Sequence, residues 1–204
     1  MIKEKYYVVW KGRKTGIFST WEECSNVVTG YPGAEYKAFD SVEAAVTAYQ
    51  GAYQEVVRPP EPKWRTARVR PTLPSMCVDA ACDGAPGKVE YRALETDSGR
   101  QVLHMGPFDD GTNNIGEFLA LVHVLAWMKG RGRMWPVYTD SETAIAWVAA
   151  KKCRTRLEHS RKNKQLFGMI ERAEAWLAEN EYTNEILKWD TDKWGEIPAD
   201  FGRK

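Results

Sequence analysis

A chain of 204 residues with a net charge of +1, 43% hydrophobic and 28% charged residues has the make-up of a globular protein, long enough for one large or two small domains. No apolar run approaches the roughly 20 residues of a membrane helix, and the opening MIKEKYYVVWKGRK holds no signal-peptide core before its charges return, so neither a membrane partner nor export is expected. Cys24, Cys77, Cys82 and Cys153 form no CxxC pair, which argues against a zinc site and for reduced thiols in a cytoplasmic protein.

The first fifty residues read as a small ββαβα unit. Lys5–Trp10, KYYVVW, is aromatic and β-branched and predicts a strand. A turn over residues 11–16 leads to a short return strand at Ile17-Phe18. Thr20 opens a helix with Glu23 at the capping-box position, and Tyr31-Pro32-Gly33 breaks it. Glu35–Phe39 predicts a third strand, and Asp40, with Glu43 three residues on, a capped second helix. Residues 51–74 hold five of the ten prolines together with Arg58, Lys63, Arg65, Arg68 and Arg70. They predict a semi-extended basic linker.

From residue 75 the pattern changes. Met76–Ala81, Lys88–Glu95 and Gln101–Phe108 predict three strands, and the short turns between them imply an antiparallel meander. Thr112 begins a long helix whose Ile115, Phe118, Leu119, Val122 and Ala126 follow helical spacing. A strand at Met134–Tyr138, helices at Ser141–Ala150 and 162–179, and a strand at Ile186–Trp189 follow. Strands separated by helices suggest parallel additions to the meander. The stretch 151–164 carries seven basic residues and one acid. Such a run is either a solvated face or a handle for phosphate.

Several acids stand out from their surroundings. Asp79 interrupts the apolar strand SMCVDAAC, where an unpaired buried charge is costly. Glu117 lies near the edge of the apolar stripe, one turn into the long helix. Asp140 ends the strand PVYTD directly before a helix, and Asp200 lies near residue 204. Sites in open α/β sheets gather beyond the C-terminal ends of parallel strands, so Asp79 and Asp140 can stand on neighbouring strands with Glu117 over them. Converging carboxylates from separate segments suit hard divalent cations. Taken singly, each has a plainer reading as a solvated side chain or, for Asp140, a helix cap.

The words YYVVWKGRKTGIFSTWEEC and YPGAEYKAF resemble the hybrid-binding domain of type 1 ribonucleases H. The words VDAACDGAPG, GPFDDGTNNIGEFLALVHVL, PVYTDSETAIAWV and ILKWDTDKWGEIPADFGRK resemble that family's catalytic domain, closest to bacterial members. The resemblance implies an α/β architecture: an RNase H-like fold with a five-stranded mixed sheet over 75–204, preceded by the hybrid-binding domain over 1–50 and the linker over 51–74. It implies an endonuclease that cuts the RNA strand of RNA/DNA hybrids, leaving 5′-phosphate and 3′-hydroxyl ends. It assigns two Mg²⁺ ions, or Mn²⁺, to Asp79, Glu117, Asp140 and Asp200, with Glu196 an additional active-site acid.

For nucleic acid, the resemblance points to Trp21, Tyr36 and Lys37, with Tyr7 nearby, on RNA/DNA hybrid or double-stranded RNA. Without it, Trp21 and Tyr36 read as core aromatics. It also places Thr112, Asn114 and Thr155 in a pocket for a DNA-strand phosphate, with Asn113 and Asn114 at the helix start where amides can read groove edges; capping is the plainer role of Thr112 and Asn114. A monomer is expected. The chain departs from the pattern at Ala38, Cys82, Ala85 and Glu142 and has no His in the loop Asp190–Trp194. Two other readings stay open: another nuclease or integrase of the same fold, and a non-catalytic hybrid or double-stranded RNA binder.

Overall fold

The computed structural model describes residues 5–53, 56 and 61–202, and the chain divides into two compact units, Met1–Pro60 and Glu61–Lys204. In the first unit, β1 (Tyr6–Lys11) pairs antiparallel with β2 (Gly16–Phe18) and with β3 (Glu35–Phe39), giving the order β2-β1-β3. Successive strand residues face opposite sides, yet Val8 and Val9 are both fully buried. Both sides are covered: Val9 packs with Cys24 and Val28 of α1 (Trp21–Val28), and α2 (Val42–Gln50) also packs on β1.

The helix caps differ in part from expectation. Thr20 accepts from the Glu23 amide at 3.2 Å, but the returning Glu23 carboxylate takes the Ser19 amide, also at 3.2 Å. Ser41, not Asp40, caps α2, accepting from the Ala44 amide. Asp40 instead pairs with Lys5 at 3.0 Å. A hydroxyl and a carboxylate both suit a cap, and here the residue at the N-cap position is Ser41.

The second unit holds a five-stranded sheet, ordered β6-β5-β4-β7-β8. The strands are β4 (Met76–Cys82), β5 (Gly87–Glu95), β6 (Gln101–Gly111), β7 (Val137–Thr139) and β8 (Ile186–Lys188). The first three form the antiparallel meander, and β7 and β8 add in parallel beside β4. The helices of this unit are the short α3 (Lys63–Thr66), α4 (Asn113–Lys129), α5 (Glu142–Ala149), α6 (Lys164–Glu179) and the short α7 (Thr191–Trp194). Met76, Val78 and Ala80 of β4 share one core cluster with the buried side of α4 and with Leu166, Ile170, Ala173 and Leu177 of α6. Cys77, of opposite parity, joins a second cluster with Tyr138, Trp189 and Trp194.

Helix α4 lies so close to the sheet that a Cβ added at Gly116 would sit 2.7 Å from both Ala80 Cβ and Val89 Cγ2. Gly116→Ala is therefore expected to destabilise the second unit by about 1–3 kcal/mol through overpacking, despite the better helix propensity of Ala. Chemical denaturation checks it, and an unchanged midpoint contradicts the close approach.

The linker is shorter than its prolines suggest. Trp10 Nε1 donates to the Gly51 carbonyl at 2.9 Å and the Tyr53 ring lies 5.2 Å from the Trp10 ring, so residues 51 and 53 stay with the first unit. On the other side, α3 (Lys63–Thr66) buries Trp64 against Trp189 in the second cluster. Trp194 Nε1 donates to Val69 O at 2.7 Å, and the Thr72 amide donates to the Tyr138 hydroxyl at 2.9 Å. A buried indole offsets a poor local propensity. Arg58, Pro59 and Pro60 of the expected linker lie outside the described residues. Among the described residues no helix is long and apolar enough to cross a membrane.

Candidate active site and nucleic-acid contacts

Three elements bring three carboxylates together. Asp79 lies at the centre of β4, Glu117 in the second turn of α4, and Asp140 just past β7, the parallel neighbour of β4. Each offers an oxygen, and the three oxygens lie within 4.8 Å of one another. Asp200 and Glu196 line the same cleft, of about 510 Å³. All five acids singled out in the sequence therefore meet in one place. Asp140 precedes α5 without capping it; Ser141 does so, accepting from the Ala144 amide at 3.1 Å.

The site is electrostatically strained. Burial raises the Asp79 carboxyl to about 7, with the charge of Asp140 adding to it; the Ala80 amide opposes this, and Glu117 and Asp200 add further. Burial likewise raises Glu117, against the Ser141 hydroxyl and with the charge of Asp140, while Lys188 pulls it down. Asp140 is raised for the same first reason, with its own amide and Lys188 opposing. Glu117 Oε1 accepts from Asn113 Nδ2 at 2.8 Å, whereas its buried Oε2 has no hydrogen-bond partner. An orphaned buried carboxylate oxygen beside two like charges is costly as it stands. A hard divalent cation, which takes oxygen ligands, would remove both costs, so the residues fit such an ion.

A second pocket lies beside the start of α4. Thr112, Asn113, Asn114 and Thr155 all line it, joined by Trp147, Arg154 and Arg156. Thr112 occupies the N-cap position of α4 but its hydroxyl caps no amide. Thr155 Oγ1 accepts from the Leu157 amide at 3.1 Å. Arg154 and Arg156 belong to the basic run read in the sequence, which gave a sign but no partners. The buried Asn163 shapes that loop, accepting from the Ser160 amide at 2.7 Å and donating to the Glu158 carbonyl at 2.9 Å.

In the first unit, the ring of Trp21 lies 5.5 Å from Tyr7 and 5.9 Å from Tyr36. Trp21 is 48% exposed and Tyr36 39%, so these two rings lie at the surface and not in the core, while Tyr7 is half-buried against the small core beneath them. Tyr36 is opposite Val9 and Lys37 opposite Val8, so Lys37 faces the other side of the sheet. Its ammonium donates to the Val56 carbonyl at 3.1 Å. The structure thus brings Tyr7, Trp21 and Tyr36 together and leaves Lys37 apart from them. Sequence reading passed over Lys188, which donates to the Asp140 carbonyl and lies 3.9 Å from Glu142. It also passed over Arg92. Both sit in ordinary strand alternation, which carries no mark of a site.

Residues 5–49 match the family model of the ribonuclease H1 N-terminal domain. A ribonuclease H of Schizosaccharomyces pombe is 60% identical over 43 residues, which are 21% of this chain and 16% of that protein. Human ribonuclease H1 is 45% identical over 40 residues, 20% of this chain and 14% of that protein. The chain thus spans less than a fifth of the length of these curated relatives. Among solved structures, LC11-RNase H1 in complex with an RNA/DNA hybrid is 18% identical, with 60% of this chain and 88% of that one covered at a TM-score of 0.37. Residues 5–49 are thus similar to the ribonuclease H1 N-terminal domain, and the sheet that follows has the five-stranded mixed order read from the sequence.

Proposed function

We propose that the protein is a ribonuclease H that hydrolyses the RNA strand of RNA/DNA hybrids with two divalent cations, Mg²⁺ or Mn²⁺, leaving 5′-phosphate and 3′-hydroxyl ends. The observation that carries this is the meeting of Asp79, Glu117 and Asp140, with a buried Glu117 oxygen left without a partner, in a chain whose residues 5–49 match the ribonuclease H1 N-terminal domain. Asp79, Glu117, Asp140 and Asp200 would hold the cations, which when bound would supply activation of a water and stabilisation of the leaving oxygen. Glu196, on the rim of the same cleft, would assist exchange of ions or product.

The protein's own groups do the positioning. Asn113 orients Glu117 through its 2.8 Å amide hydrogen bond, and Lys188 offsets part of the negative charge at Glu117 and Asp140. The pocket at the start of α4 suits a phosphate: helix amides and dipole favour an anion, the Thr112 hydroxyl is not engaged as a cap, and Arg154 and Arg156 line the same pocket. Exposed Trp21 and Tyr36, backed by half-buried Tyr7, offer aromatic faces to a duplex, with Lys37 as a separate phosphate contact. Hybrid binding is thus divided between residues 1–60 and 61–204, with double-stranded RNA a second duplex for the first of these. The four free cysteines support a reducing, cytoplasmic setting.

The test is cleavage of an end-labelled RNA strand by the full chain, in hybrid, in double-stranded RNA and beside a DNA duplex. Hybrid alone should be cut, with Mg²⁺ or Mn²⁺; Ca²⁺, of longer and less regular coordination, should support binding but little turnover. Cleavage in a chelator overturns the metal-dependent reading. Binding of hybrid without any cleavage makes the protein a binder, and cleavage of the DNA duplex makes it a different nuclease.

A further inference from the structure

Asp200 differs from the other three acids in what supports it. Asp79, Glu117 and Asp140 stand on or beside strands and a long helix. Asp200 sits in a segment, residues 195–202, with no helix or strand, held locally by the turn bond from its own amide to Ile197 O at 2.8 Å. An arginine from the sheet grips it by the main chain. Arg92 on β5 lies directly across from Asp79 on β4. Its Nε donates to the Ala199 carbonyl at 2.8 Å and its Nη2 to the Asp200 carbonyl at 2.5 Å. Its guanidinium lies 4.5 Å from the Phe201 ring centre. The same ring is 6.1 Å from that of His104, the residue across from Arg92 on β6.

We propose that Arg92 is a positioning residue for Asp200, fixing its carboxylate toward Asp79 so that the two can share a divalent cation. The proposal rests on the nuclease reading above. The planar fork of arginine can satisfy two carbonyls at once, where a lysine ammonium acts as a point donor. The grip falls on main-chain oxygens, so it uses none of the Asp200 carboxylate's acceptor capacity, and that carboxylate accepts from the Gly202 amide at 2.9 Å. An arginine paired to the carboxylate itself would compete with the cation. Held at Ala199, Asp200 and Phe201 together, the segment loses the freedom that would otherwise be lost on binding the ion.

The experiment is a titration of the full chain with MnCl₂, read by the paramagnetic resonance of the free ion, alongside hybrid cleavage over a Mg²⁺ series. Arg92→Ala should weaken Mn²⁺ binding by roughly tenfold to a hundredfold, as loss of a group orienting a ligand does. The Mg²⁺ concentration for half-maximal cleavage should rise by a similar factor. Arg92→Lys should fall between wild type and Arg92→Ala. In an Asp200→Asn background, Arg92→Ala should have little further effect on Mn²⁺ affinity, because both changes remove the same interaction; a merely structural role would add in full. Wild-type affinity in Arg92→Ala, or a full additive loss beside Asp200→Asn, overturns the proposal. Should Arg92→Ala fail to fold, wild-type affinity in Arg92→Lys overturns it equally. A wild-type chain that neither binds Mn²⁺ nor cuts hybrid removes the nuclease reading and this proposal with it, whereas one that does both while its Arg92 variants stay unchanged removes this proposal alone.

Discussion

Asp79→Asn is expected to reduce hybrid cleavage by about a thousandfold or more while hybrid binding survives. Divalent cations contribute several kcal/mol of charge stabilisation to such a reaction, and about 4 kcal/mol corresponds to about three orders of magnitude in rate. Asp79 is the acid most surrounded by the others: the charges of Asp140, Glu117 and Asp200 all act on it. Neutralising it removes the shared point of the cluster. The surfaces proposed for nucleic acid lie elsewhere, at the aromatic trio of the first unit and the pocket at the start of α4, so affinity in the presence of Ca²⁺ should change little. Single-turnover cleavage and a filter-binding titration on one hybrid separate the two quantities. A variant that cuts at near the wild-type rate in Mg²⁺ contradicts the carboxylate-held cation site.

The metal-free protein is expected to lose stability as pH rises from about 4 to about 7. The Asp79 carboxyl is raised from 3.8 to about 7, so within that window the folded chain holds a proton that the unfolded chain has released. A raised acid therefore contributes stability below its unfolded value, and that contribution is gone once pH passes the folded value. Glu117 and Asp140 are raised as well and act in the same direction. The effect is on the order of a few kcal/mol, large beside the total stability of about 5–15 kcal/mol of a typical domain. Melting in a chelator at pH 5 and pH 8 measures it. Mg²⁺ should recover much of the loss at pH 8 by binding the folded form. The same Asp79→Asn change that stops cleavage should stabilise the metal-free protein at pH 8. A flat stability profile in chelator, with no gain from the substitution, removes the picture of three carboxyls raised by burial and by one another's charge.

Much of this was legible in the sequence, for reasons that can be named. The strands and helices of the second unit follow from period and turn signals, and the meander from the short turns at Gly84–Gly87 and Asp97–Gly99. Asp79 and Glu117 are legible because a charged residue inside an apolar pattern contradicts its surroundings. Asp140 is legible from its place between a strand and a helix. The remainder depends on contacts between distant residues. Trp64 lies among prolines and arginines, and only the presence of Trp189 and Tyr138 across the sheet makes it core. Lys37 is next to Tyr36 in sequence, but a step of one along a strand turns a side chain to the other side. Arg92 reads as one polar residue in strand alternation, and its partners lie more than a hundred positions away.

The ring of indoles around Trp189 has a consequence for how the second unit opens. Trp64 precedes β4, while Ile197 and Ala199 flank the approach to Asp200, and all belong to one buried cluster. Trp194 and Tyr138 add hydrogen bonds to Val69 and Thr72 from within it. Segments packed on a common cluster open as one cooperative unit. Amides near Trp64 and amides near Ala199, though far apart along the chain, then exchange with solvent in step, and the loop that carries Asp200 stays closed for as long as the segment leading into β4 does.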